Sequence, residues 1–214
     1  MIATDTHPAV LYVRAFRYEP EPFTYVSSAE SPRCTSLGMP IPAVTFEQYL
    51  GAEFARQIGP FIALGNPFDW VPPQGAARSY TPDEDWQRHF LTYAAAAVAI
   101  VMDGSSSDGL YWELAEIVRN GWQTKLFFLA APTPLRRNHT RFRLIRALQR
   151  SAGGIRRPPW RQFVAELSDV GLCMPLTEPV PGSVVAFDAT GRAEVLTSYA
   201  QQPEEFVTAI RTRL

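Results

Sequence analysis

Apolar residues in this chain follow two alternating rhythms, short unbroken runs and longer stretches spaced three and four apart. The runs at residues 9–16 (AVLYVRAF), 60–65 (PFIALG), 97–102 (AVAIVM) and 125–130 (KLFFLA) suit strands buried on both faces. Helical patterns lie between them. Thr45 is a candidate N-cap for TFEQYLGAEFARQIG, where Phe46, Tyr49, Leu50, Phe54 and Ile58 share a face and Gly59 stands at the stop position. Residues 82–93 predict a short helix with Asp83, Glu84 and Asp85 in its first turn. Leu110, Leu114, Ile117 and Val118 predict another, ended by Gly121. Further helices are expected at about 140–150 and 160–170, on either side of a turn at Gly153 and Gly154. Residues 184–187 and 193–197 read as a terminal strand pair, and 203–214 as a closing helix.

Two stretches keep neither rhythm. Residues 19–44 carry five prolines, and residues 66–80 carry Trp70, Pro72, Pro73, Gly75, Arg78 and Tyr80. Loops of that length in a compact domain usually serve as lids or binding covers. The remaining order, β-α-β-α-β-α-β-α with a less regular end, predicts right-handed crossovers and a mostly parallel sheet covered on both sides. The fold class is therefore α/β, a three-layer sandwich formed as one domain over residues 1–214. Its core falls at about 9–170, and the C-terminal strand pair and helix at 171–214.

Composition narrows the function classes. With 46% hydrophobic and 12% aromatic residues the chain is that of a folded protein. A net charge of −1 gives no global attraction to nucleic acid or anionic lipid. The apolar run at 94–102 is too short to span a bilayer. The beginning MIATDTHPAV has neither a basic nor an apolar leader region, so a cytoplasmic location is expected. Cys34 and Cys173 form no metal or redox motif, and His7, His89 and His139 lack ligand spacing, so no metal is expected. No P-loop, G-x-G-x-x-G or G-x-S-x-G sequence is present, and no bound cofactor is expected. Arg14 and Arg17 stand where a receiver domain would place clustered carboxylates.

The chemistry concentrates after the third apolar run. Asp103 and Gly104 break it, and Ser105, Ser106, Ser107, Asp108 and Gly109 supply turn residues before the next helix. At roughly 100° per residue Glu113 flanks the apolar stripe beside Ile117, whereas Glu116 is expected to point further towards solvent. Glu113 is also expected in the first helical turn, where amide dipoles favour negative charge. A single carboxylate beside a polar loop suits cleavage of an N-glycosidic bond, because such a bond breaks with positive charge building on the sugar. Tyr111, Trp112, Trp70 or Tyr80 could stack on a base, and Arg14 or Arg78 could hold phosphate. The ends of the first and third runs would bring Arg14 and Phe16 opposite Gly104, Ser105, Ser106, Asp108, Gly109 and Glu113.

The segment MDGSSSDGLYWELAE resembles the loop and helix of the nucleoside 2-deoxyribosyltransferase-like group and the related TIR domains. The first group carries an aspartate and a glycine shortly before a glutamate on the helix after a strand. Gly109 precedes Glu113 by the matching interval, while Asp108 adjoins Gly109 without the family's one-residue gap. In TIR NAD hydrolases a tryptophan precedes the catalytic glutamate by four positions, a register that selects Trp112 and Glu116 instead. Glu113 is favoured as lying nearer the helix N-terminus. The resemblance spans about residues 9–130 in element order and is specific over some twenty of them. It implies a flavodoxin-like, TIR-like strand order. It also implies a nucleotide N-glycosidase, with NAD as substrate rather than cofactor, in bacterial defence or nucleotide signalling. The alternatives it leaves are a non-catalytic TIR-like assembly domain and a nucleoside deoxyribosyltransferase.

One charge feature stands apart. Residues 136–161 hold nine arginines and no acidic residue. Self-association or a protein partner is the expected use of this segment, since the expected active edge lies elsewhere.

Overall fold

The computed structural model describes residues 8–14, 46–65, 77–80, 85–132 and 158–214, with backbone alone at 64–65 and 77–80. The helix expected at 140–150, the turn at Gly153 and Gly154, Thr45, Phe16, Asp83, Glu84, the 19–44 stretch and nearly all of the arginine-rich segment lie outside these residues.

A seven-stranded sheet forms the middle layer. Its strands are β1 (Val10–Val13), β2 (Phe61–Gly65), β3 (Ala77–Tyr80), β4 (Ala99–Met102), β5 (Leu126–Leu129), β6 (Val184–Phe187) and β7 (Ala193–Thr197), in the spatial order β3-β2-β1-β4-β5-β6-β7. The first five run parallel; β6 is antiparallel to β5, and β7 to β6. The apolar runs at β1, β4 and β5 therefore did predict buried strands, and β6, read as one of a terminal pair, is likewise buried along its whole length. The terminal pair extends the same sheet.

Among the described residues, five helices cover it. On one face α1 (Phe46–Gln57) and α5 (Pro203–Arg213) bury Phe46, Leu50, Phe54, Phe206, Val207 and Ile210 against Val10, Tyr12, Ala99, Val101, Phe127 and Leu129. On the other, α2 (Trp86–Ala96), α3 (Asp108–Arg119) and α4 (Trp160–Asp169) pack on Leu11, Val13, Ile100, Met102, Leu126 and Phe128. The alternation of strand residues between the two sets is the two-residue period of a pleated strand. No helix among the described residues is long and apolar enough to cross a membrane.

Four expectations need correction. Residues 77–80, read as the tail of a long loop, form β3 on the sheet edge. Four residues with Arg78 and Ser79 among them show no apolar run, so backbone pairing rather than pattern makes this strand. Helix α2 begins at Trp86, with Asp85 as N-cap and no acidic residue in its first turn. Lys125 ends a 3₁₀ turn (Trp122–Lys125) instead of opening β5. Helix α3 begins at Asp108, because Ser107 is extended and its side-chain oxygen accepts from the Leu110 amide at 3.2 Å. Glu113 is consequently its sixth residue, in the second turn, beyond the strongest reach of the amide dipoles.

The β6–β7 connection shows how closely the backbone is packed. Asp188 Oδ1 accepts from the amides of Thr190 at 2.8 Å and Arg192 at 3.0 Å, and Gly191 adopts φ 78°. A Cβ at Gly191 would lie 2.0 Å from the carbonyl oxygen of Gly171. Gly191→Ala should therefore lower unfolding free energy by about 2 kcal/mol or more, combining left-handed strain with the clash. Chemical denaturation tests this, and an unchanged midpoint would mean the turn relaxes freely.

Candidate functional site

Strands β1 and β4 lie side by side, with Val10, Leu11, Tyr12 and Val13 paired to Ala99, Ile100, Val101 and Met102. The chain lays β2 and β3 on one side of β1 and β4 and β5 on the other, so the crossover direction reverses between β1 and β4. Ligands of open α/β sheets bind outside the carboxyl ends of strands at such a reversal. Here the carboxyl ends deliver two sets of polar groups, one to each face.

On the α1 side, the Tyr12 hydroxyl donates to Asp103 Oδ2 at 2.9 Å, and the Ser105 amide donates to Asp103 Oδ1 at 2.9 Å. Burial, followed by the neighbouring Asp103 charge, raises the Tyr12 phenol well above its ordinary value. Arg14 Nε lies 3.7 Å from Glu47 Oε2, and Glu47 is buried. This cluster pins the end of β1 to the loop after β4. Sequence reading named Arg14 but overlooked Tyr12, Asp103 and Glu47. The available signal was Tyr12 at alternate-residue spacing from Val10, together with an aspartate directly after a buried strand.

On the other face stands Glu113. It is 2% exposed, and its Oε2 has no hydrogen-bond partner among the described residues. Burial alone pushes its carboxyl up to about 8. Its direction follows from the helix period. Leu110, Leu114 and Ile117 face the sheet, and Trp112 meets the rings of Trp86 at 4.9 Å and Phe90 at 5.7 Å on α2. Glu113 falls between those two directions, so it points into the seam between α3, α2 and the sheet. Glu116, expected to be solvent-facing, is 7% exposed. Its carboxylate pairs with Arg119 and accepts from Asn120 Nδ2 at 3.4 Å. The correction has a simple cause: with Trp112 held against α2, the buried arc of α3 widens to include Glu116, and Arg119 satisfies its charge.

The other predicted residues divide. Gly104 and Ser105 are buried in the β4–α3 loop, and Asp108 is exposed at the helix start beside Gly109. Ser106 Oγ donates to Glu166 Oε2 at 2.5 Å, tying that loop to α4. Trp112 is half-buried against the two α2 rings, while Tyr111 is 41% exposed. Arg78 pairs by backbone with Ala63, which pairs with Tyr12, which pairs with Val101. Three strand spacings therefore separate Arg78 from β4, about 14 Å. Tyr80 lies two residues further along the same edge strand. Arg14 reaches towards α1 and Glu113 towards α2, so the sheet stands between them. Among the described residues no group of three or more His, Cys, Asp or Glu could hold a metal ion.

The Glu113 carboxyl has a consequence for stability. Its folded value lies above that of an unfolded glutamate, so between about pH 4.5 and 8 the folded chain keeps a proton that the unfolded chain has lost. Stability should fall as pH rises through that window, by about 1.4 kcal/mol per pH unit from this group. Glu113→Gln, neutral and isosteric, should flatten the slope and be the more stable protein at pH 8. Denaturant midpoints from pH 5 to 8.5 provide the comparison. Parallel curves for the two proteins would mean the carboxyl is ionised in the fold.

Comparison with models of known protein families, with curated proteins and with solved structures gives no match.

Proposed function

We propose that the protein is a nucleotide N-glycosidase of TIR-like, flavodoxin-like architecture that uses Glu113, with NAD or a related nucleotide as substrate. The observation that carries this reading is the buried Glu113 carboxyl with its unpartnered oxygen in the α2–α3 seam. The strand order supports the architecture: with edge strand β3 set aside, β2-β1-β4-β5 follows the 2-1-3-4 order of flavodoxin-like sheets. Bacterial defence or nucleotide signalling is the biological setting that the resemblance suggests.

The chemistry asks the carboxyl to ionise when substrate arrives. A pyridinium riboside carries one positive charge. At about 4 Å and an effective dielectric constant of 20, attraction to a carboxylate is about 4 kcal/mol, or roughly three pH units. That is enough to draw a carboxyl titrating near 8 into its charged form. The C1′–N bond then breaks with its electron pair leaving on the pyridine nitrogen. The carboxylate stabilises the cationic sugar, and water adds to C1′ and loses a proton. A neutral nucleoside lacks this charge, which favours NAD-like substrates over deoxyribonucleosides.

The rival reading, a non-catalytic assembly domain, draws on the closure of Glu113 from solvent: a carboxyl 2% exposed touches no substrate in this conformation. The two readings part on a panel of nucleotides and nucleosides. Under the glycosidase reading, Glu113→Gln abolishes turnover by several orders of magnitude, since an amide stabilises the cationic sugar poorly. Glu116→Gln costs less than tenfold. For the wild type, kcat/KM rises with pH through about 8, where the free enzyme's carboxyl is half charged, and levels off above it. Equal losses in the two variants, or no turnover of any panel member, would defeat the assignment.

A further inference from the structure

The sheet stops at β7. Among the described residues only Cys173 meets the outer side of that strand, at its start, where the Cys173 amide donates to the Gly191 carbonyl at 2.8 Å and its carbonyl accepts from the Ala193 amide at 3.0 Å. From Val195 onwards no described strand pairs there, and Val195 is 49% exposed. Just past the strand, Tyr199 is 69% exposed at φ 62°, a left-handed conformation that bulky residues rarely take. Above the edge lies a groove of about 610 Å³, lined by Leu196 and Thr197 of β7 and by Thr208, Ala209 and Thr212 of α5. An open edge bearing an exposed apolar side chain is a template for another strand.

We propose that this edge is a dimer interface: β7 pairs antiparallel with β7 of a second copy about a two-fold axis, and the two α5 helices pack side by side over the junction. Three features make the face complementary to itself. The first is charge. Helix α5 has Glu204 and Glu205 in its first turn, sharing the groove with Thr197, and Arg213 at its other end, 3.3 Å from Glu194 Oε2. An axis passing at Ala209 sets Glu205 of each copy opposite Arg213 of the other, because both lie four residues, about 6 Å, from that point. The Glu205 carboxylate is already fixed in place, its Oε2 accepting from the amides of Gln201 at 2.6 Å and Gln202 at 2.9 Å. The second feature is size, since Ala209 between Thr208 and Thr212 lets a facing helix come close. The third is spacing. Helix α5 packs on both β6 and β7, so its axis lies about half a strand spacing inside the edge. With the two β7 strands paired at about 4.8 Å, the two α5 axes stand about 10 Å apart, within the range of packed helices. The groove is the space that the second helix fills.

The test is the oligomeric state. Sedimentation over a concentration series should show a monomer–dimer equilibrium. Val195→Lys, which puts a charge on the pairing edge, should raise the dissociation constant by about tenfold or more. Ala209→Glu and Ala209→Arg should each be monomeric alone, with like charges meeting across the axis, and should associate when mixed. Circular dichroism checks that each variant is folded. In a chain carrying Cys34→Ser and Cys173→Ser, Ala209→Cys should form an intermolecular disulfide under mild oxidation, whereas Thr190→Cys in the β6–β7 turn should not. A monomer at every concentration would overturn the proposal. So would a dimer that Val195→Lys leaves intact and Ala209→Cys does not cross-link, which would put self-association on another face. Glu113 lies on the opposite face of the sheet, so the glycosidase reading is tested separately.

Discussion

A carboxyl group closed off from water, with one oxygen unpartnered, is the constraint on which this structure turns. Burying an ionised carboxylate without a counter-charge is so costly that the group takes up a proton instead. Glu113 does this, while Glu116, one turn deeper and similarly buried, stays with Arg119 and Asn120. The two glutamates of α3 thus meet the same environment in different ways. One is neutralised by an ion pair, the other by a proton. Only the second keeps unspent hydrogen-bonding capacity, the property expected of a group that waits for a ligand.

The sheet creates this situation. The β1–β4 pairing sets the reversal point, Tyr12 and Asp103 lock the two strand ends on the α1 side, and Ser107 starts α3 early enough for Glu113 to arrive one turn down. Had the helix begun at Leu110, Glu113 would sit in the first turn with amide dipoles to stabilise its charge. The two-residue displacement withdraws that dipole support and leaves burial to set the state of the carboxyl.

Much of the frame was legible in the chain. Unbroken apolar runs located β1, β2, β4 and β5, and two stretches separated by residues 188–192 located the pair β6 and β7. Strand β3 was not legible, since it sits at the edge and is made by backbone pairing that ARSY does not advertise. At the site, helical phase singled out Glu113, since its angular position beside Ile117 depends only on the period. The environment of Glu116 depended on where Trp112 packs, a tertiary contact with Trp86 and Phe90 that no local pattern encodes. The Tyr12–Asp103 link joins residues ninety-one positions apart and was likewise out of reach of local reasoning. Arg14 was visible as a basic residue at a strand end, but its direction towards Glu47 was not.

The account stands or falls on the state of one carboxyl, and that state can be observed directly. Carbon-13 labelling of glutamate side chains, with Glu113→Gln assigning the resonance, allows the Glu113 carboxyl to be titrated by NMR in the folded protein. Burial predicts a midpoint near 8, and the proposed function predicts a shift to lower pH when a cationic nicotinamide nucleotide is added. A midpoint near that of an ordinary glutamate, unmoved by any nucleotide, would contradict it.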